Sequence, residues 1–349
     1  MKKLLLIFCL LVVGGGAFAD IEPWQFYVHL SEEGWREKLE ADIKKYPQVK
    51  ILELYSVKSA IPELPEHDFN NIKINFSSTG KDISLAPLAK FKLRRLHLPD
   101  GRYRELYRID RSRLESLSFG SDTAVSEISG LEFPALTHLY LYVSEEVLDL
   151  RKMPRLSSLS IQGNADRELS ILLAPGIKLK ELDIGNVKVK NLPQLDLSEL
   201  DEFDFRSDLN GVAELKLPKL RLLHLRNHKM DSEVKLPELP ELEALAVFAN
   251  HAAISLKTVQ RNCPKIGHLS LFCEVTDWEV LPTLPLKKLH IGIGMMYELP
   301  VNAPAGCVVT GLVPFIQNPY KMWKLWAVIA GVFGFIVWRY RRRQKKEAK

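Results

Sequence analysis

Leu136-Thr137-His138-Leu139-Tyr140-Leu141 is followed twenty residues on by Leu156-Ser157-Ser158-Leu159-Ser160-Ile161, and then by Leu179-Lys180-Glu181-Leu182-Asp183-Ile184. Each stretch reads apolar, two variable, apolar, one variable, apolar. Toward the C-terminus the pattern recurs as LDEFDF from Leu200, LRLLHL from Leu220, LEALAV from Leu242, IGHLSL from Ile266 and LKKLHI from Leu286. Toward the N-terminus it recurs as LESLSF from Leu114 and LRRLHL from Leu93, then more loosely as FNNIKI from Phe69 and VKILEL from Val49. Successive copies start 20–24 residues apart, about 21.5 on average, a period that marks a stacked repeat.

The last four positions of each copy alternate, as a half-buried strand does. A unit this small cannot bury its own apolar side, so neighbouring units must stack. Stacking sets successive strands about 4.8 Å apart in one parallel sheet. The remainder of each period is too short for a long helix. Pro134, Pro154, Pro218, Pro240 and Pro264 stand two residues before their motifs and favour extended or turn backbone there. The expected fold is a curved α/β solenoid with its sheet inside and short turns and 3₁₀ segments outside.

These copies resemble the leucine-rich repeat family over residues 49–295. The resemblance implies a horseshoe of about 12 repeats of 20–24 residues, and partner binding rather than catalysis. The family's asparagine position holds Asn164 and Asn250, with Asp122 and Asp208 as substitutes and other residue types elsewhere. The inner asparagine ladder is therefore incomplete. Leu236-Pro237-Glu238-Leu239-Pro240 also looks like the proline-marked repeats of secreted bacterial effectors, whose extra ligase domain has no counterpart here.

The two ends read differently from the body. Residues 1–19 look like a secretory signal: Lys2 and Lys3, the apolar run Leu4 to Val13, and Ala17-Phe18-Ala19 as the small-x-small cleavage pattern. Residues 20–48 form an N-terminal cap. In it Ser31 to Tyr46 reads as a helix, with Ser31 as N-cap, Leu30 and Trp35 as a staple, and the stripe Trp35, Leu39, Ile43. Residues 296–321, punctuated by Pro300, Pro304, Pro314 and Pro319, form a closing cap and linker. Residues 322–338 carry one charge, Lys324, with Tyr320, Trp323 and Trp326 marking one interface and Trp338 and Tyr340 the other, as in a short transmembrane helix. The tail, 339–349, holds Arg339, Arg341, Arg342, Arg343, Lys345 and Lys346, which keeps it cytoplasmic. The expected topology is single-pass, with the body outside the cytoplasm. The tripartite ending also resembles bacterial sorting signals, but Gln317-Asn318-Pro319-Tyr320 does not match their recognition motif. The Lys-Lys start and a single glycosylation sequon, Asn75-Phe76-Ser77, point to a bacterial source.

The formal net charge of the whole chain is +5. It comes from the ends: residues 20–319 contain 37 Lys and Arg against 42 Asp and Glu. A mildly acidic body argues against a phosphate-tracking groove, so no nucleic-acid partner is expected. No phosphate loop, nucleophile elbow or His-Glu-x-x-His motif is present, and the chain reads as a non-enzyme without cofactor or metal. Cys263, His268 and Cys273 lack a fourth ligand and zinc spacing. Of the cysteines beyond the signal, Cys273 and Cys307 are the better disulfide candidates. His97, His224 and His290 share an inner-face position in non-adjacent repeats and read as solvated surface histidines.

Variable motif positions point away from the core and place the candidate site on the concave face. Asp183 lies beside Asp204, Arg206 beside Arg226, and Phe248 beside Phe272, with His224 in the same row. Arg next to exposed Phe is the composition of interface hot spots. Tyr140 and Tyr142 make a secondary aromatic pair. A plainer reading has the acids and arginines neutralising each other across strands. The leading expectation is a membrane-tethered ectodomain that recognises a protein or peptide. The alternative is an envelope scaffold or adhesin that holds polysaccharide or matrix. With so short a tail, signalling would need a second membrane protein, and the sequence leaves the oligomeric state open.

Overall fold

The computed structural model describes residues 25–57, 60–76, 82–98, 102–120, 126–164, 167–207, 209–227, 233–292, 299 and 301–311. The expected signal (1–19), membrane span (322–338) and basic tail (339–349) lie outside the described residues. Among the described residues no helix is long and apolar enough to cross a membrane. The chain is a repetitive parallel β-solenoid, divided into two compact units, Met1–Leu223 and His224–Lys349.

In the first unit the strands are β1 (Phe26–His29), β2 (Ile51–Val57), β3 (Asn71–Phe76), β4 (Asp82–Ser84), β5 (Arg95–Leu98), β6 (Arg102–Arg104), β7 (Ser116–Phe119), β8 (His138–Tyr142), β9 (Val147–Leu150), β10 (Ser158–Gln162), β11 (Glu168–Leu173), β12 (Glu181–Gly185), β13 (Lys188–Val189) and β14 (Glu202–Arg206). The main sheet runs β1-β2-β3-β5-β7-β8-β10-β12-β14. Two smaller parallel ladders, β4-β6 and β9-β11-β13, use the segments between its strands.

The motif positions explain the register. Leu139, Leu159, Leu182 and Phe203 align from strand to strand, as do Leu141, Ile161, Ile184 and Phe205. All of them are buried. Burying one such side chain contributes about 1.5–3 kcal/mol relative to leaving it exposed. A repeated backbone device holds each turn at the strand entry: one carbonyl accepts from two consecutive N–H groups of the next turn. Thr137 O takes Ser157 and Ser158 N (2.9 and 2.9 Å), Ser157 O takes Lys180 and Glu181 N (2.8 and 3.1 Å), and Lys180 O takes Asp201 and Glu202 N (2.8 and 3.0 Å). A one-residue slip would turn every apolar side chain to water, so pairing and burial select the same register.

In the second unit β15 (Leu222–Arg226), which carries the division, is followed by β16 (Ala244–Ser255), β17 (His268–Thr276), β18 (Lys288–Ile291) and β19 (Val308–Thr310). The order is β16-β17-β18-β19, all parallel. Leu245, Leu269 and Leu289 align, as do Val247, Leu271 and Ile291. The same entry device recurs: Glu243 O accepts from Gly267 and His268 N at 2.9 Å each. The helix Leu256–Asn262 is capped by Ser255, whose side chain accepts from Thr258 N.

Several expectations need correction. The expected α/β horseshoe of about 12 repeats is instead a mainly β solenoid of about 11 turns. Among the described residues helices are confined to Trp35–Lys45, Ser126–Ser129 and Leu256–Asn262. A period of about 21 residues leaves room for a short second strand or a 3₁₀ turn, such as Ala86–Leu88 or Leu192–Gln194, but rarely for a helix. Ser31 is not the N-cap: the first helix begins after Gly34, which stands at φ 71°, and of the expected stripe only Leu39 is fully buried. The strand β1, unforeseen in the sequence, precedes that helix and pairs with β2.

Cys263, Cys273 and Cys307 are all free thiols. The expected Cys273–Cys307 bridge is not formed, for a reason of register. Lys287 N donates to Gly267 O and Val308 N donates to Lys287 O. Cys307 therefore sits level with Gly267, two strands away and roughly 20 Å short of Cys273 along the strand direction.

Candidate functional site

The side chains that the strands turn away from the core form rows across the sheet. In the first unit one row runs Tyr27, Glu53, Lys73, His97, Ser118, Tyr140, Ser160, Asp183, Asp204. Its N-terminal part encloses a hollow of about 570 Å³, lined by Gln25, Tyr27, Ile51, Glu53, Tyr55, Asn71, Lys73, Arg95, Leu96, His97, Ser116 and Ser118.

Glu53 is the organising residue of this hollow. It is 5% exposed, and a buried carboxylate is costly unless paired. Here it accepts from Gln25 Nε2 at 2.8 Å and Asn75 Nδ2 at 2.5 Å, and it pairs with Lys73 Nζ at 2.8 Å. Burial pushes its pKa up, but the hydrogen bonds from Lys73, Asn75 and Tyr55 outweigh this and hold it below the ordinary value. The bond to Glu53 raises the Lys73 ammonium in turn. Asn75, the asparagine of the sequon, thus has its amide committed to Glu53. Tyr55 is stacked on His29 at 4.7 Å.

His97 is half-buried in the hollow, not a solvated surface histidine. Burial, and then the charge of Lys73, push its pKa down, so it is neutral at pH 7. Arg95 lies beside Asn71 on β3 and Ser116 on β7.

Further along, Asp183 and Asp204 are register partners, as the repeat spacing requires. Arg206 bridges them: its Nη2 is 3.3 Å from Asp183 and its Nε 3.2 Å from Asp204. Ser160 Oγ also donates to Asp183, at 2.8 Å. Burial lowers the pKa of Arg206, but the hydrogen bond to Asp204 and the two carboxylate charges raise it further. The plainer reading of these three residues, neutralisation across strands, describes their geometry. Tyr140 and Tyr142 both project from β8, with Tyr140 40% exposed and Tyr142 half-buried.

The second unit carries the other half of the expected patch. Here Arg226, Phe248, Phe272 and His290 form a ladder. The Arg226 guanidinium is 5.3 Å from the Phe248 ring centre. Phe248 stacks on Phe272 at 4.4 Å with 20° between the planes, and Phe272 meets His290 at 5.2 Å. His290 Nδ1 is 2.9 Å from Thr310 Oγ1. Each ring is half-buried, so one edge of the ladder faces solvent. Gly292 makes room for it, since a Cβ there would collide with the Phe272 ring. His224 is half-buried on β15.

No protein-family model matches the chain, and no solved structure matches it. Likeness to leucine-rich repeats therefore rests on the repeat itself. Among the described residues no group of three His, Cys, Asp or Glu side chains is placed to hold a metal ion.

Sequence reasoning missed the hollow. The two copies that build its floor, from Val49 and Phe69, are the loosest, so their variable positions are the hardest to align by eye. The signal was present in the same column further back: Glu53, Lys73 and His97 occupy equivalent positions in three successive turns.

Proposed function

We propose that this chain is a non-enzymatic binding module: a membrane-tethered leucine-rich repeat ectodomain that recognises a protein or peptide on the outward side of its sheet. In this reading residues 1–19 direct secretion, 322–338 anchor the chain, 339–349 remain in the cytoplasm, and the side chains that the strands turn away from the core form the binding surface. The observation that carries it is the ladder Arg226–Phe248–Phe272–His290, half open to solvent. Rigid, pre-stacked rings lose little entropy on binding and supply large contact area, and aromatic residues with arginine dominate interface hot spots. Arg206 offers less to a partner, because Asp183 and Asp204 already hold it.

Crosslinking capture with the full chain in mild detergent tests this reading. The wild type, a Phe248→Ala/Phe272→Ala double variant and an Arg206→Ala variant would be compared. Capture of a defined protein by the wild type and Arg206→Ala, and its loss in the double variant, supports the proposal. Equal capture by all three rejects the ladder as the site. Retention of polysaccharide alone would make the chain an envelope scaffold or adhesin instead.

A further inference from the structure

The hollow in the first unit is electrostatically lopsided. Its one carboxylate, Glu53, is saturated by Gln25, Asn75 and Lys73, so the charge of Lys73 is cancelled where it stands. Arg95 is different. Its chain neighbour Arg94 grips Glu115 with Nε and Nη2, at 3.0 and 2.7 Å. The Arg95 side chain has no hydrogen bond or ion pair among the described residues, and it lines the hollow. The wall beside it supplies hydroxyls: Ser116 is the register partner of Arg95, and Ser118 that of His97. A neutral His97 has one ring N–H to donate. The uncompensated charge of this hollow is thus one guanidinium fork surrounded by neutral donors, in a body whose net charge is negative.

We infer that the hollow between β2 and β7 is a binding site for an anionic group, a carboxylate or a phosphate, gripped by Arg95 and completed by Ser116, Ser118 and His97. A planar fork matches the two oxygens of either group, and charge-assisted hydrogen bonds are the strong ones. Glu53 and Lys73 act as positioning residues that brace the floor. The site is separate from the aromatic ladder, and it stands or falls independently of partner capture there.

The test is calorimetric titration of the full chain in neutral detergent. The probes are an acetylated, amidated Glu-Gly-Glu peptide, its Gln-Gly-Gln counterpart, and inorganic phosphate. Binding of the Glu peptide or of phosphate, but not of the Gln peptide, is expected. Arg95→Gln should weaken it about tenfold or more, and Arg95→Lys, which keeps the charge but not the fork, should bind with intermediate strength. Which probe binds identifies the source of the anion. Arg95 has no partner to lose, so both variants should melt with the wild type. Flat titrations with both anions, equal binding of the Gln peptide, or unchanged binding by Arg95→Gln would each overturn the inference. Ladder-dependent capture would be untouched by that result, and loss of capture would leave this site standing.

Discussion

Nη2 of Arg206 lies 3.3 Å from the Asp183 carboxylate, one strand away, while its own strand supplies Asp204 at 3.2 Å to Nε. Two acids that the repeat forces side by side are thereby joined through one cation. Replacing Arg206 with Ala leaves the carboxylates facing each other without it. We expect a loss of about 1–2 kcal/mol, between the values for exposed and buried pairs, read from urea unfolding at pH 7. A variant as stable as the wild type at pH 7 would show that the bridge contributes nothing.

Glu53 gives a second pH signature. Its folded pKa lies below the ordinary 4.5, so the charged form stabilises the fold above that value, and this contribution is lost as pH falls through the folded pKa. Glu53→Gln removes the charge and leaves Lys73 without its partner. The variant should be less stable than the wild type by about 1–3 kcal/mol at pH 7. The gap should narrow steadily below pH 4.5. A gap that stays constant from pH 7 to pH 3 contradicts this linkage.

Gly292 tests the ladder from below. A methyl group there meets the Phe272 ring at a distance no side chain tolerates. Gly292→Ala should displace the ring, break the stack on Phe248 and cost about 1–3 kcal/mol, as overpacking does. Near-ultraviolet circular dichroism reports the aromatic environment directly. An unchanged spectrum would mean that Phe272 does not rest on Gly292.

The thiols separate by burial. Burial pushes Cys263 and Cys273 up to about 12, which leaves almost no thiolate at pH 8. Cys307 is raised as well, yet it is half-exposed. Iodoacetamide at pH 8 should label Cys307 in the native protein, and Cys263 and Cys273 only on unfolding. Peptide mass spectrometry resolves the three sites. Protection of Cys307 together with Cys273 until a reductant is added would restore the disulfide expected from the sequence.

The core rows were legible because stacking imposes them. Leu139, Leu159 and Leu182 had to align once the period and the alternation were seen, and Asp183 had to fall beside Asp204. The same reasoning set Phe248 beside Phe272. It could not show that the rings stack at 4.4 Å, nor that Arg206 reaches back across a strand, because side-chain direction along a row is not a property of spacing. The strand Phe26–His29 was invisible for another reason: four residues with two apolar positions carry no periodic signal, and only the open edge of β2 makes a strand of them.

The sequence by itself determined the repeat, the parallel strands, the buried motif positions and the row to which each variable residue belongs. All of these follow from one physical demand, that units too small to bury their own apolar face must stack in register. Only the tertiary structure decided which members of those rows are engaged and which are left over. Arg94 and Arg95 are identical as sequence, yet one is bound to Glu115 and the other lines the hollow. Arg94 stands just before β5 and Arg95 is its first residue, and partnership depends on what the neighbouring turns present at each place.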